Sequence, residues 1–526
     1  MIRNSLATAR FGRLPTIFSQ KPVALGSLRC NASGVKPSTY QTRRTLTSIR
    51  SLSSTPASSS NRSPNTSYLE ATHTPSLETA CDETKELLAL GERYLLPVYA
   101  RPPFVMSHGE GSWVWDLEGR KYLDFCAGIA VNALGHGDEG MAEVLRTQAP
   151  KLLHSSNVYH NPWAPRLAEL LVELTRREGG LGWPTGSLAP PSGTSNQECG
   201  PGELSADTAA PPASAKVFFS NSGTEANEGA LKIARKLAKE RFPAQAETKT
   251  RIVCFQNAFH GRTMGALSVT PNSKYQAPFR PLIPGVKVGR VNDVDEVGMV
   301  VDEDVCAVIV EPIQGEGGVN AARQEWLREL RKRCDEVGAT LIFDEVQCGL
   351  YRTGSLWAHS TFPVDCHPDI VTMAKPLAGG YPIGAVLMRD SVAQTMTPGT
   401  HGTTFGGSPL ACALGHHVLS RVSARPFVSH ITDISTYLLS RLERLSGWFP
   451  DLLEPSVRGR GLILGLGFKN GEDAGKVVGL ARERGLLVLT AGKDAVRLVP
   501  SLNVGKEEVD FAVDVLESCL SLVARK

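Results

Sequence analysis

No aspartate or glutamate occurs between Met1 and Leu69, a stretch that carries Arg3, Arg10, Arg13, Lys21, Arg29, Lys36, Arg43, Arg44, Arg50 and Arg62. The formal net charge of the 526-residue chain is only +3, so the remainder is mildly acidic. An acid-free segment rich in Arg, Ser and Thr reads as an organellar transit peptide, drawn toward the negative interior of an energised mitochondrion. The bland alternative is a disordered basic tail. No uninterrupted apolar core follows Met1, which argues against a secretory signal. No apolar run approaches the ~18–20 residues that span a bilayer, so no membrane partner is expected. The basic residues cluster in the leader, and no nucleic-acid partner is expected either. The eleven cysteines contain no C-x-x-C pair and no grouping with histidine. They read as reduced thiols of an intracellular compartment, with no metal site expected.

What is present is a chain of ordinary globular composition, 41% hydrophobic and 21% charged. Its length suits roughly two to four domains. Residues 1–70 form the expected leader, and 71–135 an N-terminal segment contributing to a small domain. A large domain is expected over 136–390 and a C-terminal small α/β domain over 391–526. Apolar residues recur at helical spacing from Asp82 to Leu96, and Gly111 to Phe125 alternates like a hairpin around Gly119. Residues 178–214 are poor in large apolar side chains and rich in Gly, Pro, Ser and Thr, as a disordered insertion is. Beyond them, short apolar runs at Ala215–Ser220, Arg251–Phe255, Val305–Val310, Thr340–Phe343, Asp369–Met373 and Ile383–Met388 are interspersed with helical stretches. Glu225–Lys239 is one such helix, and Gln324–Val337 is the clearest. Continuous apolar strands between helices predict an α/β fold, a mainly parallel sheet covered on both faces.

Four groups sit at the ends of these strands, where open α/β sheets place ligands. Ser220-Asn-Ser-Gly-Thr-Glu-Ala-Asn-Glu228 runs from strand into helix. Free N–H groups at the helix start suit a phosphate, with Gly223 allowing close approach and Ser222 and Thr224 adding hydroxyls. An ordinary N-cap is the competing reading. Asp344, at the exit of a buried strand in Phe343-Asp-Glu-Val-Gln347, needs a cationic partner such as a protonated pyridine nitrogen. An acid pair Asp344/Glu345 is the alternative, weakened because adjacent strand residues point to opposite faces. Lys375 follows directly on another buried strand, where an amine could form an imine with an aldehyde; a snorkelling surface lysine competes. In Asn257-Ala-Phe-His-Gly-Arg-Thr263, Phe259 could lie against an aromatic ring and Arg262 could grip a carboxylate through its planar fork.

Taken together, the four groups resemble the class III, or ω-amino, aminotransferases of fold type I over about residues 90 to 520. Within that class Tyr94-Leu-Leu-Pro-Val-Tyr-Ala-Arg101, Gly128-Ile-Ala-Val-Asn-Ala-Leu-Gly-His136 and His401-Gly-Thr-Thr-Phe-Gly-Gly407 are most similar to the acetylornithine branch. Glu311-Pro-Ile-Gln-Gly-Glu-Gly-Gly318 and Arg497-Leu-Val-Pro-Ser501 also fit, and are shared with other branches. The resemblance implies pyridoxal 5'-phosphate as cofactor, carried on Lys375 as a Schiff base. By it Ser222, Gly223 and Thr224 serve the phosphate, Phe259 stacks on the ring, Asp344 pairs with the ring nitrogen, and Glu345, Val346 and Gln347 complete the cofactor-binding run. Thr403 and Thr404 would reach in from the partner of a homodimer, with Thr404 on the phosphate. Arg262 would hold the carboxylate of N-acetylornithine, while Glu316 and Arg497 form a switchable pair that lets 2-oxoglutarate take the second turn. The implied products are N-acetylglutamate semialdehyde and glutamate, in the mitochondrial matrix. Ornithine δ-aminotransferase, 4-aminobutyrate aminotransferase, a semialdehyde aminomutase and a non-catalytic cofactor-binding homologue are the alternatives. Gly137-Asp-Glu-Gly140 departs from the family wording and puts the local helix geometry in question.

Overall fold

Seven strands form the central sheet of the computed structural model, which describes residues 67–186 and 214–525. In chain order they are β1 (Ala215–Ser220), β2 (Arg251–Phe255), β3 (Val286–Gly289), β4 (Val305–Val310), β5 (Thr340–Asp344), β6 (Ile370–Met373) and β7 (Gly384–Arg389). They lie in the order β1-β7-β6-β5-β4-β2-β3. Every neighbouring pair is parallel except those of β7, which runs antiparallel to both β6 and β1. The apolar runs do become strands, because β4, β5 and β6 are buried along their whole length and have no solvent face to alternate toward. The short edge strand β3, half-buried and interrupted by Lys287, carries no such signal.

Helix α1 (Gly223–Arg241) covers one face of the sheet through Ala226, Ala230, Ile233, Ala234 and Leu237. The opposite face is packed by α2 (Gln324–Val337), whose Trp326 meets Phe255 edge-on at 4.8 Å. α2 stops at Gly338, whose φ of 69° closes the last turn in a left-handed cap. The N-terminal hairpin Trp113–Asp116 and Lys121–Asp124 belongs to a second sheet, into which Leu486–Leu487 enters parallel to Lys121–Asp124. A third sheet holds the glycine-rich hairpin Arg458–Arg460 and Ile463–Gly467, with Ala495–Leu498 beside it.

Three local expectations change. The Gly137–Gly140 wording does not disturb its helix, because Asp138 is the N-cap of Glu139–Gln148 and accepts from the Met141 N–H at 2.9 Å. Tyr68 and Leu69 fall within the span read as leader, yet Arg484 holds both their carbonyls and Tyr68 packs edge-on against Phe511. Residues 1–66 of that leader lie outside the described residues. Leu181 and Trp183 begin the span read as insertion but are buried in the main core. Their turn is held by His359 and His367, which accept from the Leu181 and Gly182 N–H groups. Residues 187–213 of the insertion also lie outside the description.

Candidate active site

The carboxyl ends of β5 and β6 lie side by side, with Asp344 in register with Thr372. Three residues beyond Thr372 the chain leaves the sheet at Lys375. Asp344 and Lys375 therefore face one cavity, of about 250 Å³, against which the start of α1 and the turn after β2 also close.

Asp344 is buried and its carboxylate is held on both oxygens. Oδ2 accepts from His260 Nδ1 at 2.8 Å and from Asn227 Nδ2 at 2.8 Å, while Oδ1 accepts from the Val346 N–H at 3.0 Å. Asn227 is fixed in turn, donating also to the His260 carbonyl and accepting from Thr372 Oγ1. Among the described residues, the other imidazole nitrogen, His260 Nε2, is buried without a hydrogen-bond partner. Glu311 lies alongside, accepting from the Phe259 and Gly315 N–H groups. Burial, reinforced by the nearby Asp344 charge, pushes the Glu311 carboxyl up to about 7.

Lys375 lies under opposing influences. Burial, and then the Arg497 guanidinium, push its ammonium below the ordinary lysine range, while Asp344, Glu311 and Glu316 pull the other way. The net direction is toward a neutral amine, the form that attacks carbonyl carbon.

At the start of α1 the Ser222 hydroxyl accepts from the Glu225 N–H at 3.3 Å, the N-cap that the sequence allowed. The cap leaves the N–H groups of Gly223 and Thr224 without intrahelical partners. A Cβ on Gly223 would stand 2.6 Å from Val346 Cγ1, so glycine is what lets the turn after β5 close over the helix start. Gly261 has φ of +136° and approaches Thr224 so closely that a Cβ there would fall 2.1 Å from Oγ1. That approach allows Thr224 Oγ1 to accept from the Arg262 N–H at 3.2 Å.

Arg497 is fully buried, donating to Gln347 Oε1 at 3.1 Å and pairing with Glu316 Oε2 at 3.1 Å. A neighbouring cavity of about 430 Å³ shares Phe259 with the first and includes Glu316, Tyr275 and Lys493 in its wall.

Ser222, Gly223, Thr224, Phe259, Arg262, Asp344, Val346, Gln347 and Lys375 thus line one cavity, with Glu316 and Arg497 joined at its edge. Glu345 does not. Alternation along the chain turns it to the opposite side, where it accepts from the Ala358 and His359 N–H groups and from His359 Nδ1. Thr403 and Thr404 also stand apart. Thr403 is held by Asn221 and Asn157, and Thr404 is exposed. The sequence reading missed the roles of His260, Asn227 and Glu311. Asn227 lies one helical turn after Gly223, and His260 stands next to Phe259, so spacing could have flagged the first and adjacency the second.

The pattern described as Aminotransferase class-III matches residues 97–520. The chain belongs to that family. Among class III relatives, the mitochondrial acetylornithine aminotransferase of Neurospora crassa is 48% identical over 82% of this chain and 86% of its own length. That of Yarrowia lipolytica is 47% identical over 82% of this chain and 95% of its own. Among solved structures, the ornithine aminotransferase of Toxoplasma gondii superimposes with a TM-score of 0.72 at 30% identity, covering 85% of this chain and 97% of that one. The N-acetylornithine aminotransferase of Stenotrophomonas maltophilia gives 0.65 at 34% identity, covering 84% and 100%. A further Toxoplasma structure has PLP at its active site in partial occupancy.

The class III cavity suits a flat cofactor bearing an aldehyde, a phosphate and a basic ring nitrogen. It offers an amine depressed toward neutrality, an aromatic wall at Phe259, a helix start with free N–H groups, and a carboxylate buried among donors.

Proposed function

We propose that this chain transfers the terminal amino group of N2-acetyl-L-ornithine to 2-oxoglutarate, using pyridoxal 5'-phosphate, in the mitochondrial matrix. The observation that carries the chemistry is the pairing of Lys375 and Asp344 in one cavity. The substrate follows from the fungal relatives at 47–48% identity, and the compartment from their printed names and the acid-free leader.

When bound, pyridoxal 5'-phosphate supplies an electron sink for negative charge at the carbon bearing the transferred nitrogen. The chain's own residues do the rest. Gly223, Thr224 and the start of α1 would hold the phosphate, and Phe259 would offer an aromatic face to the ring. Asp344, oriented by the His260 and Asn227 donors, would be the acidic partner of the ring nitrogen. Val346 and Gln347 close the wall. Lys375 would anchor the cofactor through its amine, and its Nζ would hold and move a proton at the substrate carbon that bears the transferred nitrogen. Arg262 receives the carboxylate of acetylornithine. Glu316 masks Arg497 while that substrate is bound, then releases it for the α-carboxylate of 2-oxoglutarate.

A homodimer completes the site. Thr403 and Thr404 do not line the cavity of their own chain, and Tyr94, Leu96, Val158, Tyr159 and Phe405 expose large apolar surface that a second copy would cover.

The deciding measurement is kcat/KM for N-acetylornithine against free ornithine, each with 2-oxoglutarate as acceptor. A clear preference for the acetylated donor is expected; a preference for ornithine overturns the substrate.

A further inference from the structure

Arg262 is held by its face and left open at its edges. Its guanidinium carbon stands 3.7 Å above the centroid of the Tyr275 ring and 5.6 Å from that of Phe259. The two rings meet nearly perpendicular, at 85° and 6.2 Å between centroids. Among the described residues, the guanidinium has neither a carboxylate within ion-pair distance nor a hydrogen bond; only the backbone N–H of Arg262 is engaged, by Thr224. Stacking uses the flat π-face of a guanidinium and leaves its N–H edges free for a planar, two-oxygen acceptor.

Tyr275 is itself braced. It lies on the short turn Ser273–Gln276, where Asn272 accepts from the Lys274 N–H at 3.0 Å. The next residue, Gln276, donates to the Leu267 and Ser268 carbonyls, tying the turn to Met264–Ser268, just after Arg262. The stacking partner and the arginine are thus fixed to one local frame.

We infer that Tyr275 is a positioning residue that presents the Arg262 fork to the substrate carboxylate. It lowers the entropy Arg262 loses on binding, and takes no part in proton transfer. The inference rests on the proposed role of Arg262.

The test is a double-mutant cycle on the cofactor-loaded dimer. Tyr275→Leu is expected to raise KM for N-acetylornithine about two- to fivefold, the loss of one exposed cation–π contact, with kcat within about twofold of wild type. Tyr275→Phe keeps the ring and should keep the wild-type KM. In an Arg262→Met background, Tyr275→Leu should add no further increase in KM, because the partner it orients is gone. Equal damage from Phe and Leu, a fall in kcat at constant KM, or an undiminished effect without Arg262 would each overturn the inference. A wild-type chain that prefers another amine donor would fail the substrate proposal instead, and the same cycle run on that donor's carboxylate would still decide the role of Tyr275.

Discussion

His260 Nδ1 donates to Asp344 Oδ2 across 2.8 Å, and neither side chain is open to water. Asn227 supplies a second donor to the same oxygen. The carboxylate is therefore oriented by two side-chain donors on one oxygen before any cofactor arrives. A hydrogen bond to a charged group is typically worth about 1.5–3 kcal/mol, roughly 10–100-fold. His260→Leu and Asn227→Ala are each expected to lower kcat by about that factor while retaining the fold. Steady-state kinetics beside thermal melts would check this; a wild-type kcat in both variants would count against the arrangement.

Lys375 gives an optical prediction. The purified protein should be yellow, and borohydride should bleach it while fixing the cofactor mass on the peptide that contains Lys375. Lys375→Ala should complete no half-reaction with N-acetylornithine, read as the absence of spectral change in a single-turnover mixture. Normal turnover by that variant would sink the mechanism.

The Glu316–Arg497 pair predicts a shift in preference. Glu316→Ala leaves the buried Arg497 without its carboxylate partner, at 3.1 Å in the native arrangement. A charge-assisted hydrogen bond is worth about 1.5–3 kcal/mol. The variant should therefore favour substrates whose carboxylate adjoins the reacting carbon, such as glutamate, over N-acetylornithine by roughly tenfold or more relative to wild type, measured as a ratio of kcat/KM values. An unchanged ratio would mean the pair is purely structural.

Glu311 predicts a pH dependence. Its carboxyl is raised from 4.5 to about 7 by burial, so the folded state favours the protonated form. The stability this contributes is fully present below about pH 4.5 and is lost as pH rises through about 7. Glu311→Gln cannot ionise, so its melting temperature should gain on wild type as pH goes from about 5 to about 8. A constant difference across that range would refute the assignment.

The fold class was legible because β4, β5 and β6 are largely apolar runs and α2 shows a clean amphipathic period ending at a glycine. Strand β3 was not, since a four-residue edge strand has too little buried surface to pattern its sequence. Lys375, Asp344 and Gly223 were readable because each is an exception to its surroundings: a charge after a buried run, or a glycine where a helix begins. Asn227 and His260 were harder to assign, because polar residues on a helix and in a turn usually face water. Only the tertiary arrangement shows that both turn inward onto Asp344. The opposite orientation of Glu345 was available from strand alternation, and the destination of its carboxylate at His359 was not.

Register in the central sheet makes the cofactor site a sensor of its own assembly. Asp344 and the strand leading to Lys375 are brought together only when β5 and β6 pair with Asp344 beside Thr372. A slip of one residue would turn one of the two groups to the wrong face. The two also lie on separate segments that the chain must join through a non-local contact. A collapsed but unregistered chain could hold both segments and still lack a place for the cofactor. Bound cofactor would stabilise only the correctly paired sheet, shifting the folding balance toward it by mass action. Recovery of colour during refolding should then trail the recovery of helix and report the moment at which the sheet locks.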